Sequence, residues 1–213
     1  VKQYQTEVHE AYQRQGSKLR GAVRSKTDFD ITGPLARRNI DTGAGLERIA
    51  YLQQGVNNMY ETDQVFPVIE RAAQLSGKKY GLNPDDDIRL RIVADHVRSS
   101  LMLMTDGVTP GNEARGYVLR RLLRRAVRSM RLLGVDAPVL PELLPISRDL
   151  MKDSFPEVLT QWDRVIDAAT AEEQTFRRTL SAGTTLLDTA VAQTKESGST
   201  VLPGEKAFQL HDT

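Results

Sequence analysis

Apolar residues fall at helical spacing along most of this chain. The clearest run lies between Thr109 and Gly134, TPGNEARGYVLRRLLRRAVRSMRLLG. Leu119, Leu122, Leu123, Ala126, Val127 and Met130 form one apolar stripe there, and arginines fill most of the other positions. The turn Pro110-Gly111-Asn112 opens the run and Gly134 stops it. A second long pattern, Ile88 to Met104, precedes it across the breaker Thr105-Asp106-Gly107. So short a connection predicts an antiparallel pair, roughly 88–104 with 114–133. Other predicted helices begin near Gly45, span Val65 to Leu75 with Pro67 in the first turn, and cover Ile146–Met151, Val158–Leu180 and Gly183–Thr194. A last one starts at Glu205. Tyr80–Asp87 reads as an acidic loop and Val135–Pro145 as a proline-punctuated connection. A β-favouring patch, Phe29-Asp30-Ile31-Thr32, stands before Gly33-Pro34, and Val1, Tyr4, Val8 and Tyr12 could line an N-terminal helical face. The pattern predicts a mostly α chain: a strand-containing piece over 1–60, then an all-helical module over 61–213.

Composition narrows the options. At 213 residues, 39% hydrophobic and 27% charged, the chain has the make-up of a globular domain with a real core. Its net charge is only +1, so the basic helix is a local feature and the chain is not a generally basic nucleic-acid binder. There is no cysteine and there are three histidines, which excludes disulfides and thiolate zinc sites and fits a reducing compartment. No apolar run approaches the ~18–20 residues that span a bilayer, so no membrane partner is expected. Val1 in place of Met and the abrupt ending His211-Asp212-Thr213 read as a fragment.

Arg115, Arg120, Arg121, Arg124, Arg125, Arg128 and Arg131 share their helix with no acid. A helix built only for solubility would mix signs to gain i,i+4 pairs. The planar guanidinium binds phosphate oxygens through two parallel hydrogen bonds, so this face is suited to an anionic partner. A second candidate is Asp41-Thr42-Gly43-Ala44-Gly45-Leu46-Glu47-Arg48. Small residues before a helix start bring backbone N–H groups and the positive helix end to one spot. An acid there could hold an ammonium group and an arginine one turn on could face a phosphate. A glycine bulge leading into a solvated helix explains the same residues. His96 reads as a packed core residue, Asp85-Asp86-Asp87 as a solvated run rather than a Mg2+ site, and Trp162 and Phe176 as core.

Asn39 to Ala50, NIDTGAGLERIA, resembles motif 3 of the class II aminoacyl-tRNA synthetases in the form found in the alanine–tRNA ligases. Gly55–Asp63, Val93–Ser99, Asp106–Arg125 and Ala207–Thr213 resemble the same family in the same order, so the likeness covers roughly residues 23–213. It implies a ligase of protein biosynthesis in the cytoplasm that uses ATP, with Mg2+ in the parent enzyme, to adenylate alanine and pass it to the 3′ end of tRNA(Ala). By resemblance Asp41 holds the alanine amino group, Gly43 and Gly45 wall the small pocket and approach the adenylate, and Arg48 meets ATP. A pocket this small discriminates poorly among small amino acids, since one methylene is worth ~1–3 kcal/mol. The family uses an editing site, and no editing module is visible here.

The resemblance also gives the Arg helix a role: the helical module grips the tRNA acceptor stem and recognises a G·U wobble pair. Asn112 matches the turn asparagine and Asp212 the aspartate of the Leu-x-Asp-Thr ending. The wide, shallow minor groove of A-form RNA would display a guanine amino donor that a carboxylate or an amide oxygen can accept. Asn112 also suits a helix N-cap. Motif 1 and the motif 2 arginine have no counterpart in this sequence, so the chain alone is expected to bind tRNA better than it activates alanine. The rival reading is a truncated, non-catalytic relative that serves as a tRNA-binding module, and a weaker one is a generic helical interaction domain.

Overall fold

The computed structural model describes residue 37, residues 42–210 and the backbone of 211–212. Contacts divide the chain into two units, Val1–Gly43 and Ala44–Thr213, of which the second is treated below. The patch at Phe29–Thr32 and the proposed N-terminal helical face lie outside the described residues. Within them every regular element is helical. Helix α1 is Leu46–Gln54, a 3-10 turn follows at Met59–Glu61, α2 is Phe66–Ser76, α3 is Pro84–Thr105 and α4, the Arg helix, is Ala114–Leu132. Then come α5 at Leu140–Met151, the single turn α6 at Glu157–Thr160, α7 at Trp162–Glu196 and α8 at Gly204–Asp212.

Three boundaries differ from the pattern-based expectation, the first two for a local reason. Helix α3 begins at Pro84, inside the supposed acidic loop. The Asn83 side chain caps it, accepting from the Asp85 and Asp86 amides at 2.9 and 3.2 Å. Asp85, Asp86 and Asp87 then occupy the positive end of the helix, where carboxylates stabilise it. Asp87 also accepts from the Gly81 amide at 2.8 Å, and Asp86 pairs with Lys78 and Arg89. Helix α5 begins at Leu140 rather than Ile146, because Pro141 lies in the first turn and Pro145 is accommodated within the helix. The two helices expected over 158–194 are the short α6 and the single 35-residue α7, which runs straight through Gly183. Helix α7 is therefore about 50 Å long.

The core forms around α3. It packs most closely on α4, as the short connection predicted, and also on α2 and α5, while α7 packs on α4 and α5. Leu90, Val93, Val97, Leu101 and Met104 of α3 meet Leu119, Leu123, Ala126, Val127 and Met130 of α4, all buried. Fully burying a side chain of this kind contributes ~1.5–3 kcal/mol. Leu122, expected in the stripe, is only half-buried at its edge. Trp162 and Phe176 pack partly against the core, each under a cation: Arg148 lies 4.3 Å from the Trp162 ring centre and Arg124 5.0 Å from that of Phe176. His96 is buried, as its apolar setting predicted. No helix among the described residues is long and apolar enough to cross a membrane.

Glu173 ties α7 to α5. It is 2% exposed and accepts from the Val139 and Leu140 amides at 2.8 and 2.9 Å, capping α5 from another element. Burial pushes its carboxyl above the ordinary range, against the pull of those two amides and of Arg177. A carboxyl raised in the folded state binds protons there more readily than in the unfolded chain. Its contribution is therefore largest at acid pH and shrinks as pH rises through the carboxylate range toward the folded value. Glu173→Gln turns an amide donor toward an N–H and should lower unfolding free energy by ~1–3 kcal/mol. Urea titrations at several pH values should show the gap between the two proteins narrowing as pH rises. A pair of substitutions tests the glycines. At Gly116 an added Cβ would stand 2.7 Å from the Thr109 carbonyl oxygen and 3.1 Å from the Gly111 nitrogen, both backbone. Gly116→Ala should cost ~1–3 kcal/mol. Gly183, with nothing within 4 Å of a Cβ, should gain ~0.5–1 kcal/mol as Gly183→Ala.

Candidate nucleic-acid interface

The turn before α4 is folded back onto the first turn of the helix. The Gly111 amide donates to the Gly116 carbonyl at 3.0 Å, and Gly116 lets the two backbone segments touch. Ala114, at the helix start, takes φ +49, a left-handed conformation that costs a non-glycine residue of order ~1 kcal/mol. Glu113 takes the N-cap position without a side-chain cap. Asn112 therefore does not cap the helix. Its Oδ1 accepts instead from Nη1 of Arg120, two turns along α4.

The arginines of α4 separate into two groups. Arg120 and Arg124 both face Glu172 of α7, which is 7% exposed. Arg120 Nε donates to Oε2 at 3.2 Å and Arg124 Nε to Oε1 at 2.7 Å. Arg131, at the helix end, pairs with Asp136 at 3.6 Å. Arg115, Arg121, Arg125 and Arg128 are exposed and make no ion pair among the described residues. Arg121, Arg125 and Arg128 recur at i, i+4 and i+7, so they share one face. Tyr117, Phe176 and five of the arginines, from Arg120 to Arg128, line a shallow surface concavity. On α3, Asp95 lies in the field of Arg125 of α4 and of Arg98 of its own helix. The hydrogen bond from His96 Nδ1, 2.8 Å away, holds the Asp95 carboxyl below its ordinary range against partial burial, and the charges of His96, Arg125 and Arg98 add to this.

Pattern reading found every one of these arginines but missed Glu172, Tyr117 and Phe176 as parts of this surface. Tyr117 carried a signal: it is an aromatic inside an arginine stripe, and it is half exposed. Glu172 carried none, because nothing in the sequence tells which helix lies opposite α4.

The second candidate is described only in part. Thr42–Gly45 is irregular and α1 begins at Leu46, close to the expected start. Gly45 and Arg48 come together: a Cβ on Gly45 would press on Cγ and Cδ of Arg48 at 3.4 Å. Gly43 is exposed, with nothing among the described residues within 4 Å of an added Cβ, and Arg48 is exposed. Glu47 pairs with Arg98 of α3 at 3.1 Å, which ties α1 to the bundle. Asp41 and the side chain of Asp212 lie outside the described residues, so the expected pairings of Asp41 with the glycines and of Asp212 with Asn112 are not described. No cluster of His, Asp and Glu among the described residues could hold a metal ion.

The family described as tRNA synthetases class II (A) matches residues 17–213. An alanine–tRNA ligase of Cutibacterium acnes is 80% identical over 192 residues, which is 90% of this chain and 22% of that protein. Alanine–tRNA ligases of Clavibacter sepedonicus and a Nocardioides species are 63% and 62% identical over 92% and 90% of the chain, and 22% and 21% of their own lengths. The chain thus spans about a fifth of the length of these curated relatives. A family match over residues 17–213, with identities of this size, establishes that the chain belongs to the tRNA synthetases of class II (A).

Proposed function

We propose that this chain is a segment of an alanine–tRNA ligase that joins motif 3 of the catalytic domain to a surface for the tRNA acceptor stem. The observation that carries the RNA side of this reading is the exposed row Arg121, Arg125 and Arg128 beside the turn that presents Asn112. Guanidinium groups spaced along one helix face follow a phosphate backbone and fix the register of the protein on the stem. They carry no base information. That falls to Asn112, with Asp212 sharing the task at the wobble pair. Tyr117 and Phe176 give the concavity apolar faces against which ribose or a base can lie.

In the parent enzyme the alanine carboxylate attacks the α-phosphorus of ATP and releases pyrophosphate, and the tRNA 3′ hydroxyl then takes the acyl group and releases AMP. Asp41 would pair with the substrate ammonium, Gly43 and Gly45 would keep the pocket small, and Arg48 would meet the nucleotide. The Mg2+ of the parent reaction would act on the ATP phosphates; none of the residues assigned here is a ligand for it.

Two measurements test the reading. Binding of an acceptor-stem hairpin should weaken steeply with salt, and Arg121→Ala, Arg125→Ala and Arg128→Ala should each reduce the log–log salt slope by about 1 while leaving base preference alone. Asn112→Ala should instead remove ~1–3 kcal/mol of G·U over G·C preference with the salt slope unchanged. Equal affinity of the unaltered chain for both hairpins would refute base reading and leave a phosphate-binding module. On the catalytic side, Asp41→Ala in the full-length enzyme should abolish alanine-dependent pyrophosphate exchange. Normal exchange in that variant overturns the pocket assignment.

A further inference from the structure

We infer that Glu172 is a positioning residue for the Asn112 turn: it clamps Arg120, and Arg120 in turn holds the Asn112 amide in one orientation. This rests on the proposed role of Asn112 in reading a base pair and adds to it the group that aims the amide.

The geometry is a relay across two helices. Glu172 of α7 is buried against α4 and its two oxygens are divided between Nε of Arg120 and Nε of Arg124. Each guanidinium is planar, so fixing its Nε edge fixes the direction of its terminal nitrogens. Arg124 is fixed a second time, by its stacking on Phe176. Arg120 is fixed a second time by Asn112, whose Oδ1 accepts from Nη1. With one lone pair of its oxygen engaged in this way, Asn112 keeps the second for an incoming donor such as the guanine amino group, and its Nδ2 donors for a neighbouring acceptor. The asparagine sits in an exposed turn, where an untethered side chain would sample several rotamers. A base-reading amide needs one orientation, because its donor and acceptor ends recognise opposite partners.

The arrangement also explains why a row of arginines contains a buried acid at all. Glu172 offsets the local positive charge and lowers the attraction for phosphate. Its removal should therefore strengthen non-specific binding while weakening discrimination. A residue that only supports the fold would lose both together.

The test compares the unaltered chain with Glu172→Gln, Asn112→Ala and the double variant. It uses hairpins carrying G·U or G·C and follows the side-chain N–H signals of Arg120 and Asn112 by NMR. In Glu172→Gln the hairpin affinity at low salt should hold or rise, and the salt slope should steepen by up to about 1 for each arginine released. The G·U preference should fall about tenfold, toward that of Asn112→Ala. The double variant should lose no more preference than Asn112→Ala alone, as two members of one relay require. The Asn112 side-chain amide should become mobile. Arg120→Lys is the second route, since it keeps the charge but gathers its donors on one nitrogen and loses the Nε-to-Nη1 span that reaches Glu172 and Asn112 together. It should release Asn112 without a change in salt slope, and it decides the matter if Glu172→Gln does not fold. An Asn112 amide as ordered in the folded variants as in the unaltered chain overturns the clamp, whatever the RNA data show. An unaltered chain that binds both hairpins equally, with the amide released in the variants, upholds the clamp and refutes base reading instead.

Discussion

Two neighbouring carboxylates on α7 tie two different helices to it, the Arg helix α4 and α5. Glu172 and Glu173 are adjacent, so they point about 100° apart around the helix and reach different neighbours. Glu173 caps α5 through the Val139 and Leu140 amides, and Glu172 takes the Nε groups of Arg120 and Arg124 on α4. A single turn of α7 therefore fixes both α4 and α5 by charge-assisted hydrogen bonds, beyond what apolar contact would specify. Buried carboxylates are costly to desolvate. Here each is offset differently, one by backbone donors at a helix N-terminus and the other by two cations.

That division sorts the arginines of α4. A stripe of seven guanidinium groups on one helix would repel itself if none were partnered. Arg120, Arg124 and Arg131 are partnered within the fold, and Arg115, Arg121, Arg125 and Arg128 face water. Among the described residues the exposed members make no ion pair that a phosphate would have to break. The partnered ones set the shape of the surface. The near-neutral balance of the whole chain is consistent with this, since acids are placed against particular arginines and not scattered among them.

The Asn112 turn has the same character at smaller scale. Its path depends on Gly116, where no side chain would fit against Thr109 and Gly111, and on Ala114 in a left-handed conformation. A strained backbone persists only where surrounding contacts over-determine it. The Gly111–Gly116 hydrogen bond and the Arg120–Asn112 contact are those contacts. The turn is thus a fixed projection from a rigid helix.

The sequence by itself determined the helices and their apolar faces. The spacing of Leu119, Leu123, Ala126, Val127 and Met130 sets which side of α4 is buried, and the glycine after Leu133 sets where it stops, because these follow from helical periodicity and local backbone preference alone. The likeness to the tRNA synthetases of class II was legible for a similar reason: it lies in contiguous strings. What periodicity misjudged were the starts of α3 and α5, where a capping side chain or a first-turn proline outweighed the breaker residues, and the break at Gly183, for which the structure offers no packing reason. Tertiary structure alone decided which arginines are held and which are exposed. That depends on Glu172, 52 positions from Arg120, and a contact over such a distance follows from the packing of α7 against α4 and not from any local pattern.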